Sequence, residues 1–151
     1  MNRLILCAAA AAALFVAPCA FAEEEATAVA APGPVTIEYY YRIKWGSFDE
    51  FMRLYEKNHK PLLDEAEKAG FILSTKTFFP INHMSGDERW DLRVTIEFRD
   101  AAAAVSDPAF FALMGEATDR LFKDKKKYED EEAKRFSLLD AHWDVIVYAA
   151  E

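Results

Sequence analysis

The chain has 151 residues, of which 52% are hydrophobic, and its 18 basic and 26 acidic residues give a net charge of −8 at pH 7. A chain of this length is expected to form one domain around one hydrophobic core. Its acidic surface repels phosphate groups and anionic lipid headgroups, so we expect no nucleic-acid partner.

The first 22 residues have the pattern of a secretory signal peptide. A basic start at Arg3 precedes an apolar run from Leu4 to Val16, and small residues before Ala22 form a cleavage site. The run is shorter than the roughly 20 apolar residues that a membrane-spanning helix needs, so a permanent anchor is the weaker interpretation. We therefore expect a periplasmic or secreted protein with no membrane association after cleavage.

Cleavage after Ala22 would remove both cysteines, Cys7 and Cys19, and one basic residue. The mature chain would then have 17 basic and 26 acidic residues, a net charge of −9, and no thiol. This excludes disulfides and cysteine nucleophiles from the mature protein. Residues 23–34, rich in Ala, Glu and Pro, are expected to be a flexible leader to a domain spanning residues 35–151.

The first strand is predicted from Val35 to Trp45, with apolar residues on one side and polar residues alternating on the other. A helix follows, with Ser47 and Glu50 as a predicted capping box. Its apolar stripe includes His59 and continues past Pro61, which must kink or divide the helix because its ring clashes with the carbonyl group of Lys57.

A weakly alternating second strand is predicted from Phe71 to Phe79, and a third from Trp90 to Arg99. The third strand has the clearest alternation in the chain, with Leu92, Val94, Ile96 and Phe98 on one face and Asp91, Arg93, Thr95 and Glu97 on the other. Both segments are therefore predicted to be strands, and the third strand is predicted to bury only one of its faces.

Ser106 or Asp107 is predicted to cap a second helix that starts at Pro108. The charged segment Lys123–Arg135 is expected to continue as an exposed helix. The last strand is predicted from His142 to Ala149, with Trp143, Val145 and Val147 on one face and His142, Asp144, Ile146 and Tyr148 on the other.

This order of elements predicts an α+β, ferredoxin-like βαββαβ fold with a four-stranded antiparallel sheet and helices on one face. We expect the first and third strands to be parallel central neighbours, offset by 55 positions. That register places Glu38 beside Arg93 and Arg42 beside Glu97, so that both pairs are opposite in sign.

Four segments resemble the dimeric α/β-barrel superfamily, whose members include antibiotic-biosynthesis-type monooxygenases, haem-degrading monooxygenases and muconolactone isomerases. They are 39–44 (YYYRIK), 56–63 (EKNHKPLL), 89–98 (RWDLRVTIEF) and 142–145 (HWDV). The chain is similar in particular to secreted members with no assigned activity. The resemblance implies a homodimer in which the sheet face away from the helices lines a barrel.

The haem degraders of that superfamily use an asparagine on the first strand and a histidine on the second helix. This chain has no asparagine in residues 35–45 and no histidine in residues 108–135, so the resemblance implies no haem chemistry. We expect no cofactor. With three scattered histidines we also expect no metal site.

The candidate site is the polar row expected on the sheet face away from the helices. Its ligand-binding candidates are Tyr40, Arg42, Arg93, Glu97 and Tyr148, and its proton-transfer candidates are His142 and Asp144. Glu38 and Thr95 complete this row. The alternative interpretation is an ion-paired layer that sets strand register or dimer contacts.

His59 is the third candidate catalytic residue, with a packed histidine near the helix kink as the alternative. Three functions stay open. The first is a cell-envelope barrel that binds a small apolar or anionic ligand between paired sheets, the second a metal-independent enzyme of monooxygenase or isomerase type, and the third a structural interaction partner.

Overall fold

A computed structural model of the chain describes residues 33–82 and 86–147. Four parts of the chain named above lie outside the described residues: the expected signal peptide (1–22), residues 23–32 of the expected leader, His83 and Tyr148. The strands are β1 (Val35–Ile43), β2 (Ile72–Phe78), β3 (Leu92–Phe98) and β4 (Leu139–Val147). The α-helices are α1 (Phe48–Leu54), α2 (Lys60–Lys68), α3 (Ala101–Val105), α4 (Pro108–Leu121) and α5 (Lys125–Ser137).

The four strands form one antiparallel sheet in the order β2-β3-β1-β4. The core joins one face of this sheet to the helices, and the apolar row of β3 is at most 4% exposed from Leu92 to Phe98. The predicted α+β, ferredoxin-like fold is therefore confirmed by the strand order and pairing. In the described ranges no helix is both long and apolar enough to span a bilayer.

The first helical segment is interrupted where the sequence places Pro61. A π-helical turn, Tyr55–His59, separates α1 from α2, and Pro61 lies in the first turn of α2. Pro61 has no N–H to donate to the carbonyl group of Lys57, and a π-helical turn accommodates such a break in the regular hydrogen-bond ladder. The predicted division of the helix is confirmed in this form. The capping box is wrong, because the Ser47 side chain forms no capping hydrogen bond.

The prediction that β1 and β3 are parallel is wrong. They pair antiparallel, with Tyr40 opposite Arg93 and Glu38 opposite Thr95. The helical crossover makes β1 and β2 parallel to each other, and β3, which lies between them, pairs antiparallel with both. The Glu38–Arg93 ion pair forms nevertheless, at 3.5 Å, as a diagonal contact.

The predicted Arg42–Glu97 pair is wrong for the same reason, since the antiparallel register places these residues toward opposite ends of their strands. Arg42 Nη1 instead donates to the carbonyl oxygen of Asp87 at 2.9 Å. Glu97 accepts a hydrogen bond from the Ser74 hydroxyl at 3.1 Å.

The predicted face of β4 is also wrong. Tyr41 pairs with His142 and Tyr39 with Asp144, and directly paired residues share a face of a sheet. His142 and Asp144 therefore lie on the side of the helices. Trp143 and Val145 lie on the face of the sheet away from the helices, which we call the open face. The prediction failed because the apolar row of β4, which contains Trp143 and Val145, lies away from the helices, so alternation by itself did not show which row faces the core.

Three aspartates begin the helices that follow β3. The side chains of Asp100, Asp107 and Asp124 accept hydrogen bonds from backbone N–H groups in the first turns of α3, α4 and α5. This confirms Asp107 as the cap of the second predicted helix. The charged segment is helical from Lys125, but it does not continue α4, which ends at Leu121. It is also not exposed throughout, because Arg135 on α5 is only 2% exposed.

Candidate functional site

A cavity of about 260 Å³ lies between the sheet and the helices. Most of its lining is apolar, and the lining residues come from all four strands, from α2 to α5 and from the π-helical turn. The lining residues that can donate or accept hydrogen bonds are Tyr39, Tyr41, Tyr55, His59, Arg135 and His142. Two of the three predicted catalytic residues, His59 and His142, therefore line one cavity, and this cavity lies on the face of the sheet opposite to the one predicted for His142.

His59 enters this cavity from the π-helical turn, and its ring centroid lies 5.2 Å from that of Tyr55. Burial, followed by the positive charge of Arg135, lowers the pKa of His59 to about 4. The imidazole is consequently neutral at pH 7, and a neutral imidazole has one nitrogen that accepts a proton.

His142 reaches the cavity from β4, with its ring 4.4 Å from the ring of Tyr41. Its Nε2 atom is 3.5 Å from Oδ1 of Asp144, so the expected contact between these two residues is present. Burial lowers the pKa of His142 although the carboxylate of Asp144 acts in the opposite direction. Both imidazoles of the cavity are thus biased toward the neutral form.

Arg135 supplies a buried positive charge that was not predicted. Its guanidinium group is paired with Glu132, with Nη2 to Oε2 at 2.7 Å and Nε to Oε1 at 3.1 Å, and it packs against the ring of Phe136. Its charge lowers the pKa values of His59 and His142. The carboxylate of Asp144 outweighs this charge at His142, so the preference for an anionic group on a ligand rests on the guanidinium group itself as a donor.

A sequence signal for Arg135 did exist. It ends the charged run, lies three residues after Glu132 and directly precedes the apolar residues Phe136, Leu138 and Leu139. Position i+3 on a helix brings an ion-pair partner onto the same face, and an arginine needs such a partner when it is buried.

The three tyrosines of the cavity contribute hydroxyl groups in the protonated form. Burial raises the pKa of Tyr39 and of Tyr55 to about 12, and it raises the pKa of Tyr41 further. Protonated phenols can donate a hydrogen bond to a ligand oxygen as well as accept one. The cavity thus combines hydroxyl donors, two proton acceptors and one fixed cation within apolar walls.

The remaining predicted site residues lie on the open face. Tyr40 stacks on Trp143, with ring centroids 5.5 Å apart, and its hydroxyl donates to Glu38. Arg93 contacts the same carboxylate and lies over the ring of Phe78 at 4.3 Å. These contacts fit the alternative interpretation of this row, an ion-paired layer that organises the sheet surface.

Arg42 and Glu97 also belong to the open face but do not meet each other, and Tyr148 lies outside the described residues. Over residues 33–82 and 86–147, no three or more His, Cys, Asp or Glu side chains are grouped so that they could hold a metal ion.

No family model matches the sequence, and no curated protein matches it. Among solved structures, a dimeric ferredoxin-like protein from an uncultured marine organism has a TM-score of 0.49 at 10% identity, covering 80% of this chain and 90% of its own. A dimeric protein with a ferredoxin-like fold from Bacteroides fragilis has a TM-score of 0.43 at 12% identity, covering 76% and 95%. SnoaB, a cofactor-independent oxygenase from Streptomyces nogalater, has a TM-score of 0.43 at 11% identity, covering 79% and 95%.

Proposed function

We propose that this domain binds a small apolar molecule bearing one anionic group, in the cavity between the sheet and the helices. The observation behind this proposal is the guanidinium group of Arg135, which is 2% exposed and lines an otherwise largely apolar cavity. The volume of this cavity, about 260 Å³, lies just below the roughly 300–1,000 Å³ typical of pockets that bind drug-sized ligands, so we expect a small ligand.

The charge distribution supports an anion over a cation. Both histidines are biased toward the neutral form, so they neither attract nor repel an anion strongly, and the three tyrosines are protonated donors. A carboxylate in this cavity would receive a charge-assisted hydrogen bond from the guanidinium group, which is stronger than a bond between neutral groups.

Benzoate and benzyl alcohol form a matched pair of probes, since they differ mainly in charge. We expect benzoate to shift the NMR signals of the His59 imidazole, and benzyl alcohol to bind at least about tenfold more weakly. In a double variant, Arg135→Met with Glu132→Leu, both charges are removed together, so no unpaired charge is left buried. This variant should lose the preference for benzoate, while Lys134→Met, at an exposed neighbouring position, should keep it. Equal affinities for the two probes in the wild-type protein would contradict the proposal.

A second candidate is a metal-independent enzyme that transfers protons, as in the isomerase alternative. It is favoured by the two neutral imidazoles that share a cavity with a fixed cation. In such a step a C–H bond next to a carbonyl group breaks and the proton moves to an imidazole nitrogen. The C–H electron pair forms the carbon–carbon double bond of an enolate, the π pair of the carbonyl group moves to its oxygen, and Arg135 stabilises that oxygen.

Deuterium exchange at the acidic position of 2-tetralone, followed by NMR in D₂O, tests this second candidate. His59→Gln and His142→Gln should each slow the exchange. Benzoate binding, measured by calorimetry, and urea unfolding at pH 7.5 should stay nearly unchanged in both variants. An exchange rate that equals that of the buffer in the wild-type protein excludes proton transfer for this class of ketone and leaves ligand binding alone.

We further propose a homodimer that forms through the open face of the sheet. Val145 is 41% exposed and Phe78 is 37% exposed on this face, beside the Tyr40–Trp143 stack and the Glu38–Arg93 pair. A face with both signs of charge can pair with a second copy of itself by a twofold axis. Light scattering should give twice the subunit mass for the wild-type protein and for Val105→Lys, an exposed site on α3, but the subunit mass for Val145→Lys. A monomeric wild-type protein would contradict this assembly.

The cellular location is proposed from the first 22 residues: the mature domain resides in the periplasm or outside the cell. Mass spectrometry of protein purified from its own host should find a chain that begins at Glu23. A chain that retains residues 1–22 and is found in the cytosolic fraction would contradict this location.

A further inference from the structure

A second cavity, of about 360 Å³, lies where β1 ends. It is formed by the turn after β1, the first residue of α1, the chain that follows β2 and the segment that precedes β3. It shares no lining residue with the cavity that contains the two histidines. It is therefore a separate site with its own chemistry.

Aromatic side chains make up the walls of this second cavity. Phe48 and Phe79 meet edge to face with centroids 5.8 Å apart, yet they remain 39% and 51% exposed. Trp45, on the turn, is 71% exposed. Apolar area of this kind is removed from water when a flat ligand covers it, which favours binding of an aromatic ring.

Arg89 is the buried polar group of the cavity, with 5% of its surface exposed. Its Nη2 atom donates to the carbonyl oxygen of Ile43 at 2.8 Å, and its guanidinium group lies 4.2 Å from the ring centroid of Trp45. Its Nη1 atom is buried and has no hydrogen-bond partner in the part of the chain that the structure describes, with Asp91 Oδ1 at 3.6 Å. An unsatisfied buried donor of this kind is stabilised when an acceptor arrives.

The charges around Arg89 balance one another. Asp91 and Asp140 lie within ion-pair distance of its guanidinium group, and Lys44 adds a second positive charge to the lining. Asp140 reaches this position because the pairing of β1 with β4 shifts by one residue between Arg42 and Ile43. Two positive and two negative groups leave no net charge to attract an ion.

We propose that this second cavity binds an uncharged, flat aromatic molecule with a carbonyl oxygen, and that Nη1 of Arg89, which is buried in this structure, turns toward this oxygen and donates a hydrogen bond to it. The aromatic walls supply the affinity for the ring, and the buried donor supplies the preference for the carbonyl group. This class of ligand differs from the apolar anion proposed for the cavity of Arg135.

Acetophenone and ethylbenzene are suitable probes, because they have the same ring and differ at the carbonyl group. The indole N–H signal of Trp45, assigned by the loss of that signal in Trp45→Phe, reports on this cavity alone. We expect acetophenone to shift this signal saturably and to bind about tenfold more tightly than ethylbenzene, with benzoate producing no saturable shift.

Phe79→Ser removes one wall at an exposed position and should weaken acetophenone binding about tenfold. Phe111→Ser, at a phenylalanine of α4 that is 56% exposed and lies outside the cavity, should leave binding unchanged. Equal affinities for the two probes, or binding that survives Phe79→Ser, would overturn the proposal. A Trp45 signal that moves with protein concentration in the absence of any probe would also overturn it, because a second copy of the chain would then cover the cavity.

Discussion

The depressed pKa of His59 makes the stability of this protein depend on pH in a way that one substitution can isolate. In the folded protein this pKa is about 4, and in the unfolded chain it is near the ordinary value of 6.5. As the pH falls below 6.5, the unfolded chain takes up a proton at His59 that the folded protein still excludes. The free energy of unfolding therefore decreases, and this loss levels off once the pH is below 4.

The size of this effect follows from the difference between the two pKa values. Each pKa unit corresponds to about 1.4 kcal/mol, so the full loss is about 3 kcal/mol between neutral pH and pH 4. Between pH 7 and pH 5.5 the same two pKa values give a decrease of about 1 kcal/mol in the free energy of unfolding. This window stays above the isoelectric point of about 4.9, where the protein would carry no net charge.

Urea unfolding of the wild-type protein and of His59→Gln at pH 7.5, 7, 6 and 5.5 measures this contribution. The variant should lose about 1 kcal/mol less than the wild-type protein over the window from pH 7 to pH 5.5. His142→Gln is the matched control, since it leaves the burial of His59 in place and should retain most of the wild-type slope. Parallel pH profiles for the wild-type protein and His59→Gln, or an NMR titration of folded His59 near pH 6.5, would refute the reasoning.

Three further predictions concern stability and are measured by urea unfolding at pH 7.5. Phe51 is fully buried in the core, so Phe51→Ala should cost about 3–5 kcal/mol, and a loss below 1 kcal/mol would mean that this core is not as packed as described. Asp100→Ala removes the carboxylate that accepts from Ala103 N–H at 2.7 Å and should cost about 1 kcal/mol, whereas Asp100→Asn should recover most of that loss. Gly70 has φ +76 and no atom within 4 Å of an added Cβ, so Gly70→Ala should cost about 1–2 kcal/mol through the backbone alone. Gly115→Ala, in the middle of α4, should instead stabilise the protein by about 0.5–1 kcal/mol.

The strand and helix content could be predicted because it depends on local periodicity. The apolar row of β3 is buried from Leu92 to Phe98 as the alternation indicated. Asp107 caps α4, and the helix that contains Pro61 is interrupted beside it. Each of these features follows from residues within one or two turns of each other in the sequence.

The relation between strands could not be read from the same patterns. Alternation shows which residues share a face of one strand, but it does not show the direction in which a neighbouring strand runs. The Glu38–Arg93 pair illustrates this point, since it forms in an antiparallel register although it was predicted from a parallel one. Two opposite charges on adjacent strands can meet in more than one register.

Which residues come together at the candidate site could be predicted from the sequence less well than any other feature. His59 and His142 were each singled out by residue type, but only the pairing of β4 with β1 turns His142 toward the helices. Arg135 was assigned to an exposed charged segment, because its burial depends on the packing of α5 against the rest of the domain.

By itself the sequence determined the fold class, the positions of most strands and helices, and the residue types available for chemistry. These properties follow from interactions between near neighbours along the chain, which periodicity records. The tertiary structure alone decided the direction of β1 against β3, the face of β4, and the meeting of two imidazoles with a buried guanidinium group in one cavity. Those outcomes depend on contacts between residues far apart in the chain, where a shift of one residue moves a whole row of side chains to the other face of the sheet.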